Sequence, residues 1–274
     1  MTSTSPQPST VVLIPGLWLT ARSWEHWIER YEGKGFQVIA QNWPGMDGDV
    51  QALRDERSAF DDVGFDDVVD HYDKIVRGLD TPPILMGHSM GGAAVQVLLD
   101  RGLGGAGVAI DPGPIKGVLN LPRSALKSAS PVLKHPGNRH KAVMLSPEEF
   151  HYAFTNTLSD EDSLAAYERY AVPGPGKTLF QAALANFNPH AATKVHFHND
   201  NRAPLLLIAG EVDHTAPVAV TRREFKLESK SKAITAFKEF AGRSHYIVGQ
   251  PGWEEVADFA LDWALNPKPI DEAL

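Results

Sequence analysis

Cysteine is absent from this sequence of 274 residues, and long apolar runs are absent as well. Without cysteine the chain can form no disulfide bond and no zinc or iron–sulfur site with thiolate ligands. No run approaches 18 apolar residues, so we expect no membrane-spanning helix. The N-terminal stretch MTSTSPQPST lacks a basic segment followed by an apolar one, and we therefore expect a soluble cytoplasmic protein without membrane contact.

Basic residues are also few, because 26 Lys and Arg stand against 34 Asp and Glu, which gives a formal net charge of -8. A negative chain repels a polyphosphate backbone, so we expect no nucleic-acid partner. Hydrophobic residues make up 43% of the chain, which at this length suffices for the core of one globular domain. Whether that domain is a monomer or a homodimer stays open.

Six short apolar or β-branched runs alternate with stretches of helical periodicity. The runs predict strands at residues 11–14, 36–40, 84–86, 107–110, 205–209 and 234–240. The periodic stretches predict helices at residues 23–32, 65–79, 90–101, 217–227 and 253–264. Continuous apolar strands that alternate with helices are typical of a parallel sheet covered on both faces, so we predict a doubly wound α/β fold.

Residues 112–203 interrupt this alternation, because they contain no segment typical of a strand. Ser146, Ser159 and Thr178 each begin a predicted helix there. The segment carries 10 basic and 7 acidic residues, whereas the rest of the chain carries 16 and 27, so the two parts differ in the sign of their charge. The predicted organisation is a mobile tail (1–9), a core (10–111 and 204–265), a helical cap (112–203) and a second mobile tail (266–274).

Glycines flank a serine in the stretch ILMGHSMGG, where a predicted strand runs into a predicted helix. In a parallel α/β sheet, ligands bind beyond the carboxyl ends of the strands. Ser89 follows the third strand, Asp213 follows the fifth and His245 follows the sixth. Leu17 and Trp18 follow the first strand. We therefore expect these residues at one edge of the sheet.

These residue types can together carry out nucleophilic catalysis. A serine hydroxyl is a weak nucleophile at neutral pH, and the imidazole of His245 is suited to accept its proton. Asp213 would fix the tautomer of the imidazole and stabilise the imidazolium. The backbone N–H groups of Met90 and Leu17 would bind the oxyanion that develops on the attacked carbonyl. Asp111, which follows the fourth strand, is the alternative acid.

The motif GHSMGG, with Gly87, Ser89 and Gly91, resembles the nucleophile elbow of α/β-hydrolases. The candidate serine, aspartate and histidine also follow the order of that family, and the resemblance spans residues 11–265. It implies that the family's first two antiparallel strands are missing, as in the branch of plant esterases and hydroxynitrile lyases. It also implies that the six strands lie in the order 2-1-3-4-5-6. The sequence departs from the family at Pro15, where the oxyanion loop usually has a histidine.

Several side chains are candidates for contact with a substrate. They are His88, Asp111, Trp18, Trp43, Phe150 and Phe154. The first four follow or flank the ends of strands, although packing explains each of them as well. The last two belong to the aromatic residues of the cap, which are Phe150, Tyr152, Phe154, Tyr167, Tyr170, Phe180 and Phe187. Some of these aromatic rings are expected to hold the cap on the core and others to enclose a small apolar group.

Two further patterns are weaker. Residues 102–107 fit G-x-G-x-x-G, but they end a helix and enter a strand, which is the reverse of the order in a dinucleotide site. His196 and His198 can present two imidazoles on one face of an extended segment, but no complete ligand set accompanies them. We therefore expect neither a cofactor nor a metal ion.

Together with the resemblance, these residues predict a serine hydrolase that acts through an acyl-enzyme. Its expected substrates are small to medium, apolar or aromatic carboxylic esters or lactones. Two alternatives stay open because the fold alone does not discriminate among them. One is a C–C bond hydrolase or hydroxynitrile-type lyase that uses the same three residues, and the other is a ligand-binding receptor with low turnover.

Overall fold

The computed structural model describes residues 8–119 and 121–272. Its strands are β1 (Thr10–Ile14), β2 (Gln37–Ala40), β3 (Ile84–His88), β4 (Ala106–Ile110), β5 (Ala142–Val143), β6 (Gly174–Pro175), β7 (Leu205–Gly210), β8 (Thr235–Phe240) and β9 (Asp271–Glu272). Its α-helices are α1 (Glu25–Glu32), α2 (Val50–Asp55), α3 (Phe65–Arg77), α4 (Met90–Asp100), α5 (Arg123–Leu133), α6 (Pro147–Ala153), α7 (Asp160–Tyr170), α8 (Gly176–Ala183), α9 (Val218–Glu228) and α10 (Trp253–Leu265). None of these helices is long and apolar enough to cross a bilayer.

Seven strands form one sheet in the order β2-β1-β3-β4-β7-β8-β9. Each pairing in this sheet is parallel. The six strands predicted from the sequence therefore lie in the predicted order, and the doubly wound α/β class is confirmed. Because the strands run in one direction, their carboxyl ends meet at one edge, which carries the loops of the candidate site.

The last strand lies in the segment 266–274, which we expected to be a mobile tail. Asp271 pairs with Phe237 and Glu272 with Lys238, so this segment extends the sheet beyond β8 instead. The Lys238 ammonium also lies 2.7 Å from the Glu272 carboxylate. Of the expected N-terminal tail, residues 1–7 lie outside the described part of the chain.

The central strands β1, β3, β4 and β7 are buried along their whole length. Successive side chains of a strand point to opposite faces, so alternate residues belong to separate apolar clusters. Val11 and Leu13 pack on the face that α1 and α10 cover. Val12 and Ile14 pack on the other face with helices α3, α4 and α9 and with buried residues of the segment 112–203. Two apolar layers therefore hold the sheet and fix where its loops emerge.

The segment 112–203 contains helices α5 to α8, so its predicted helical character is confirmed. The serines at 146 and 159 cap α6 and α7 where predicted, each accepting the backbone N–H three residues on. The next helix begins at Gly176 rather than at Thr178. The expectation that this segment contains no strand is wrong, because β5 and β6 pair antiparallel in a ribbon of two residues each. These strands are too short to leave a periodic pattern in the sequence.

Candidate active site

Ser89 lies between β3 and α4, in the sharp turn that GHSMGG predicts. Its backbone has φ 55° and ψ -123°, a strained combination for a residue with a side chain. The surrounding chain holds this conformation, because the Ser89 N–H donates to Ile110 O at 2.9 Å and its carbonyl accepts from Gly113 N at 2.8 Å. The strain presents the hydroxyl group at the start of the helix rather than in the sheet.

Gly87 is required because the chain folds back on itself at this turn. A Cβ at Gly87 would lie 2.1 Å from the carbonyl oxygen of Gly91, and a Cβ at Gly91 would lie 2.2 Å from that of Ile14. Both obstacles are backbone atoms, which cannot rotate away. The glycine spacing of the motif is therefore a packing requirement of the turn itself.

Replacing Gly87 by alanine is expected to lower the free energy of unfolding by about 3 kcal/mol or more, because the new methyl group overlaps backbone. Thermal unfolding followed by circular dichroism measures the loss. Gly137→Ala is the matched control, since a Cβ there meets no atom within 4 Å. Equal melting temperatures for the two variants would contradict the steric argument.

His245 and Asp213 form a buried pair at the ends of neighbouring strands. His245 Nδ1 lies 2.6 Å from Asp213 Oδ2. The other carboxylate oxygen, Oδ1, accepts the backbone N–H groups of Thr215 at 2.6 Å and Ala216 at 2.9 Å. An ionised Asp213 accepts only, so His245 carries its proton on Nδ1 and leaves Nε2 as an acceptor. Among the described residues, Nε2 is buried and has no hydrogen-bond partner.

His88 and Phe154 hold the loop that carries His245. The ring N–H of His88, at Nε2, donates to the backbone carbonyl of His245 at 2.7 Å. The ring of Phe154 meets the imidazole of His245 edge-on, with 4.9 Å between centroids. Burial and the neighbouring His245 lower the pKa of His88 well below its ordinary value, which keeps its ring neutral. His88 therefore positions another residue, and it does not line the cavity beside Ser89.

Two backbone N–H groups near Ser89 are the predicted candidates for an oxyanion site. Neither the N–H of Leu17 nor that of Met90 donates a hydrogen bond within the described chain. Both residues line the same cavity as Ser89. The loop of Leu17 runs directly against the elbow, since a Cβ at Gly16 would lie 2.8 Å from Ser89 Cβ.

Trp43 supports this loop at the position where the sequence departs from the family. Its indole Nε1 donates to the carbonyl of Pro15 at 3.0 Å, and the side chain is buried. The N–H of Leu19 bonds to the carbonyl of Gly16 at 3.3 Å. Trp43 thus packs beneath the loop. It does not line the cavity beside Ser89, so the structure does not support a contact between Trp43 and a substrate there.

Asp111 does not bond to His245. It follows β4, which lies beside β7, the strand that precedes Asp213. It is fully buried, and its Oδ1 accepts the backbone N–H of Gly210 at 2.7 Å. Burial and the neighbouring Asp213 raise the pKa of Asp111 well above its ordinary value. The geometry therefore favours Asp213 over Asp111 as the acid that orients the imidazole.

A cavity of about 170 Å³ opens beside Ser89. Its lining contains no charged side chain and no aromatic ring except that of Trp18. The lining residues are Leu17, Trp18, Ser89, Met90, Gly113, Pro114, Leu121, Ala125, Leu126, Ser128, Ala129, Leu133, Leu179, Ala182, Ala183, Thr215, Ala216 and Val220. The cavity is thus an aliphatic compartment that reaches from the elbow into the cap.

Five of the predicted substrate contacts lie away from this cavity, Trp43 among them. Phe150 and Phe154 are fully buried and stack on each other, with 4.8 Å between their centroids, and Phe154 also packs against Trp18 and His245, which attaches the cap to the core. His88 and Asp111 are held by the hydrogen bonds described above. Of the predicted contacts, Trp18 alone lines the cavity, and its indole Nε1 donates to the carbonyl of Val143 at 3.0 Å.

The small residues of α5 and α8 were missed as candidates. Ala125 and Ala129 on α5 and Ala182 and Ala183 on α8 form much of the cavity wall. Helix α5 has no side-chain cap at its start and contains Pro131, so its sequence carries no helix signal. The only sequence feature that points to a cavity there is the number of alanines in a segment that also contains many aromatic residues.

The glycine-rich stretch and the histidine pair, which fit cofactor and metal patterns in the sequence, have structural roles. Residues 102–107 connect α4 to β4, and His196 bonds to Asp100 at 2.7 Å rather than to His198. Donor atoms of His88, Asp111 and His245 do lie within 4.8 Å of one another. Each histidine uses one ring nitrogen in a hydrogen bond within the protein, and we assign no ion to the other, because Asp213 orients His245 as it would orient a general base.

Residues 11–259 match the alpha/beta hydrolase family, so the chain belongs to that family. The sheet order, the elbow at Ser89 and the order of the three candidate residues agree with this membership. A comparison with curated proteins gave no significant match.

Solved structures with the same fold include several enzymes. The chain resembles a monoacylglycerol lipase from Paleococcus ferrophilus with 24% identity and a TM-score of 0.64, covering 94% of this chain and 95% of that one. It resembles an extracellular alpha/beta-hydrolase from a Paenibacillus species with 19% identity and a TM-score of 0.66, covering 94% and 100%. It also resembles tomato methylketone synthase I with 15% identity and a TM-score of 0.68, covering 95% and 99%. At these identities the likeness extends to the fold alone.

Proposed function

We propose that this α/β hydrolase is a serine esterase that cleaves neutral carboxylic esters with an aliphatic acyl group. The observation that carries the proposal is the meeting of three features in one place. Ser89 is held in a strained turn, His245 is oriented by Asp213 with Nε2 left as an acceptor, and an uncharged cavity begins at the serine. Together they provide a nucleophile, a base and a binding site for the acyl group.

In the first half of the reaction, Ser89 Oγ attacks the ester carbonyl while His245 Nε2 takes the hydroxyl proton. The N–H groups of Leu17 and Met90 stabilise the negative oxygen of the tetrahedral intermediate. When the intermediate collapses, the C–O bond to the alcohol breaks and His245 returns the proton to the leaving oxygen. The acyl group remains bonded to Ser89.

In the second half, a water molecule replaces the alcohol. His245 takes a proton from this water as its oxygen attacks the acyl carbonyl. Collapse of the second intermediate breaks the bond to Ser89, which recovers its proton from His245, and the carboxylic acid is released. Asp213 stays ionised throughout and stabilises the imidazolium that forms twice in the cycle.

The cavity supports an aliphatic acyl group in particular. A charged group would be desolvated there without a partner, because the lining offers only three hydroxyl side chains, those of Ser89, Ser128 and Thr215. An apolar cavity of about 150 Å³ holds a molecule of the size of benzene. We therefore infer an acyl group of roughly four to eight carbons.

A panel of p-nitrophenyl esters of increasing acyl length, run beside a few lactones, tests the function. We expect a rise and fall of kcat/KM with chain length, with a maximum at about six carbons, and an initial burst of p-nitrophenol. Binding of the esters without repeated turnover would indicate a receptor instead. Turnover of a cyanohydrin or a C–C substrate with no ester turnover would indicate the lyase or C–C hydrolase alternative.

Enlarging a small residue of the cavity wall tests where the acyl group binds. Ala182→Leu adds a bulky side chain from α8 to the cavity, so kcat/KM for the hexanoate ester is expected to fall at least about tenfold while that for the acetate ester changes less than about threefold. Ala165→Leu, the same substitution at an exposed position of α7, is the control. Equal losses for both esters would contradict the assignment of the acyl site.

A further inference from the structure

Asp111 and Asp213 place two carboxyl groups in one buried space. Asp111 is fully buried and Asp213 is 3% exposed. Both residues bond to Gly210, whose N–H donates to Asp111 Oδ1 at 2.7 Å and whose carbonyl accepts the N–H of Asp213 at 3.3 Å. Asp111 Oδ1 accepts the N–H of Gly210, whereas Oδ2 is buried and has no hydrogen-bond partner among the described residues. A buried, ionised carboxylate oxygen without a hydrogen-bond donor is unfavourable, whereas a protonated oxygen can itself donate a hydrogen bond.

The groups around the pair can compensate one negative charge but not two. Asp213 uses both oxygens, one toward two backbone N–H groups and one toward His245. The titratable groups that face Asp111 are Asp213, His245 and His88. His88 is neutral and gives its ring proton to a backbone carbonyl. Within the described ranges no lysine or arginine bonds to either carboxyl group.

We propose that Asp111 is a positioning residue, which carries a proton at neutral pH and donates it from Oδ2 in a hydrogen bond to Asp213. This assignment rests on the proposed function only where it gives Asp213 and His245 a role in catalysis. The proton turns the unpartnered oxygen into a donor and gives Asp213 a further hydrogen bond. Asp213 is then held by the chain on one side and by Asp111 on the other, in the orientation that His245 needs.

Two other observations support a protonated Asp111. Burial, and after it the charge of Asp213, raise the pKa of the Asp111 carboxyl group well above its ordinary value. The backbone of Asp111 has φ 41°, in the left-handed region that aspartate and asparagine tolerate better than most residues. Asparagine can therefore replace it with the same shape, an acceptor toward Gly210 and a permanent donor toward Asp213.

Infrared spectroscopy tests the proton directly. At pH 7 the wild-type protein is expected to show the carbonyl absorption of a buried carboxylic acid, and D111N is expected to lose that band without losing a carboxylate band. Glu224→Gln is the control, because burial raises the pKa of Glu224 to about 8 and its band should disappear separately. Loss of a carboxylate band in D111N, with the acid bands intact, would overturn the proposal.

The pH dependence of stability is a second test. A carboxyl group whose pKa is higher in the folded state stabilises the fold below its unfolded pKa of about 3.9, and this contribution is lost as the pH rises toward the folded pKa. The melting temperature of D111N relative to wild type is therefore expected to increase by at least about 3 °C between pH 5 and pH 8. The exposed D160N is expected to show no such trend. A constant difference for D111N would contradict a raised pKa.

Kinetics separate positioning from a merely structural role. D111N keeps the donor and removes no charge, so the acidic limb of its kcat/KM profile is expected to stay within about 0.3 pH unit of wild type. Removal of a carboxylate beside His245 would instead move that limb to lower pH by about one unit, which would overturn the proposal. D111A lacks the donor, and its kcat is expected to be at least about ten times lower than that of D111N.

These tests fail independently of the proposed function. The infrared and melting measurements need no substrate, so Asp111 can prove to be protonated in a protein that hydrolyses no ester. Equally, ester hydrolysis can be found in a protein whose Asp111 is ionised. A kcat for D111N as low as that of Asp213→Asn would contradict the positioning role by making Asp111 the orienting acid itself.

Discussion

Ser89→Ala is expected to lower kcat for the hexanoate ester by about 10⁶-fold, as removal of the nucleophile of a catalytic triad does. Without Oγ no acyl-enzyme can form, and the backbone donors and the cavity alone provide the small remaining acceleration. KM is expected to change little, because the serine hydroxyl contributes little to the area that binds the acyl group. Steady-state hydrolysis, with the burst phase measured separately, checks this result.

Ser130→Ala is the matched control, since this half-buried serine lies on α5 outside the cavity and its hydroxyl group bonds only to the carbonyl of Lys127. It is expected to keep kcat within about threefold of wild type. Turnover of Ser89→Ala within about tenfold of wild type would remove Ser89 from the mechanism. Circular dichroism checks that Ser89→Ala is folded, so that a loss of turnover reports the missing hydroxyl group.

Asp213→Asn is expected to lower kcat by about 10⁴-fold. Two backbone N–H groups hold Oδ1 of Asp213, so the amide oxygen of asparagine takes that position and its NH₂ group faces His245 Nδ1. Nδ1 must then act as an acceptor, and the ring proton moves to Nε2. An imidazole in this tautomer cannot accept the proton of Ser89.

Asp111→Asn provides the comparison for this prediction. Because Asp111 bonds to the N–H of Gly210 and His245 bonds to Asp213, we expect the kcat of Asp111→Asn to fall at least about a hundredfold less than that of Asp213→Asn. Measured under identical conditions, the larger loss identifies the acid that orients the imidazole. A larger loss in Asp111→Asn would reverse the assignment.

The sheet and the position of the elbow could be predicted because their signals are local. A buried parallel strand reads as a continuous apolar run, and the turn at Ser89 needs glycines at fixed offsets because backbone atoms lie 2.1 and 2.2 Å from the added Cβ atoms. Asp213 and His245 could be placed from the rule that parallel strands end at one edge. The distances between these groups could not be predicted.

The cavity could not be predicted, because which face of a helix is buried depends on the packing of the whole segment. Phe150 and Phe154 look like pocket residues in the sequence, yet their rings stack on each other, and the ring of Phe154 also packs against His245. The alanines of α5 and α8 carry no chemical signal, yet they form the wall. Strand β9 was missed because two polar residues paired at a sheet edge resemble a chain end.

Covalent labelling of Ser89 tests the central claim most directly. A fluorophosphonate reacts with a serine only where a base activates the hydroxyl and an oxyanion site receives the phosphoryl oxygen. Mass spectrometry of the labelled and digested protein is predicted to show one modification, on the peptide that contains GHSMGG, with first-order loss of esterase activity at the same rate. A protein that stays unlabelled, or that is labelled elsewhere while ester hydrolysis continues, would contradict the account.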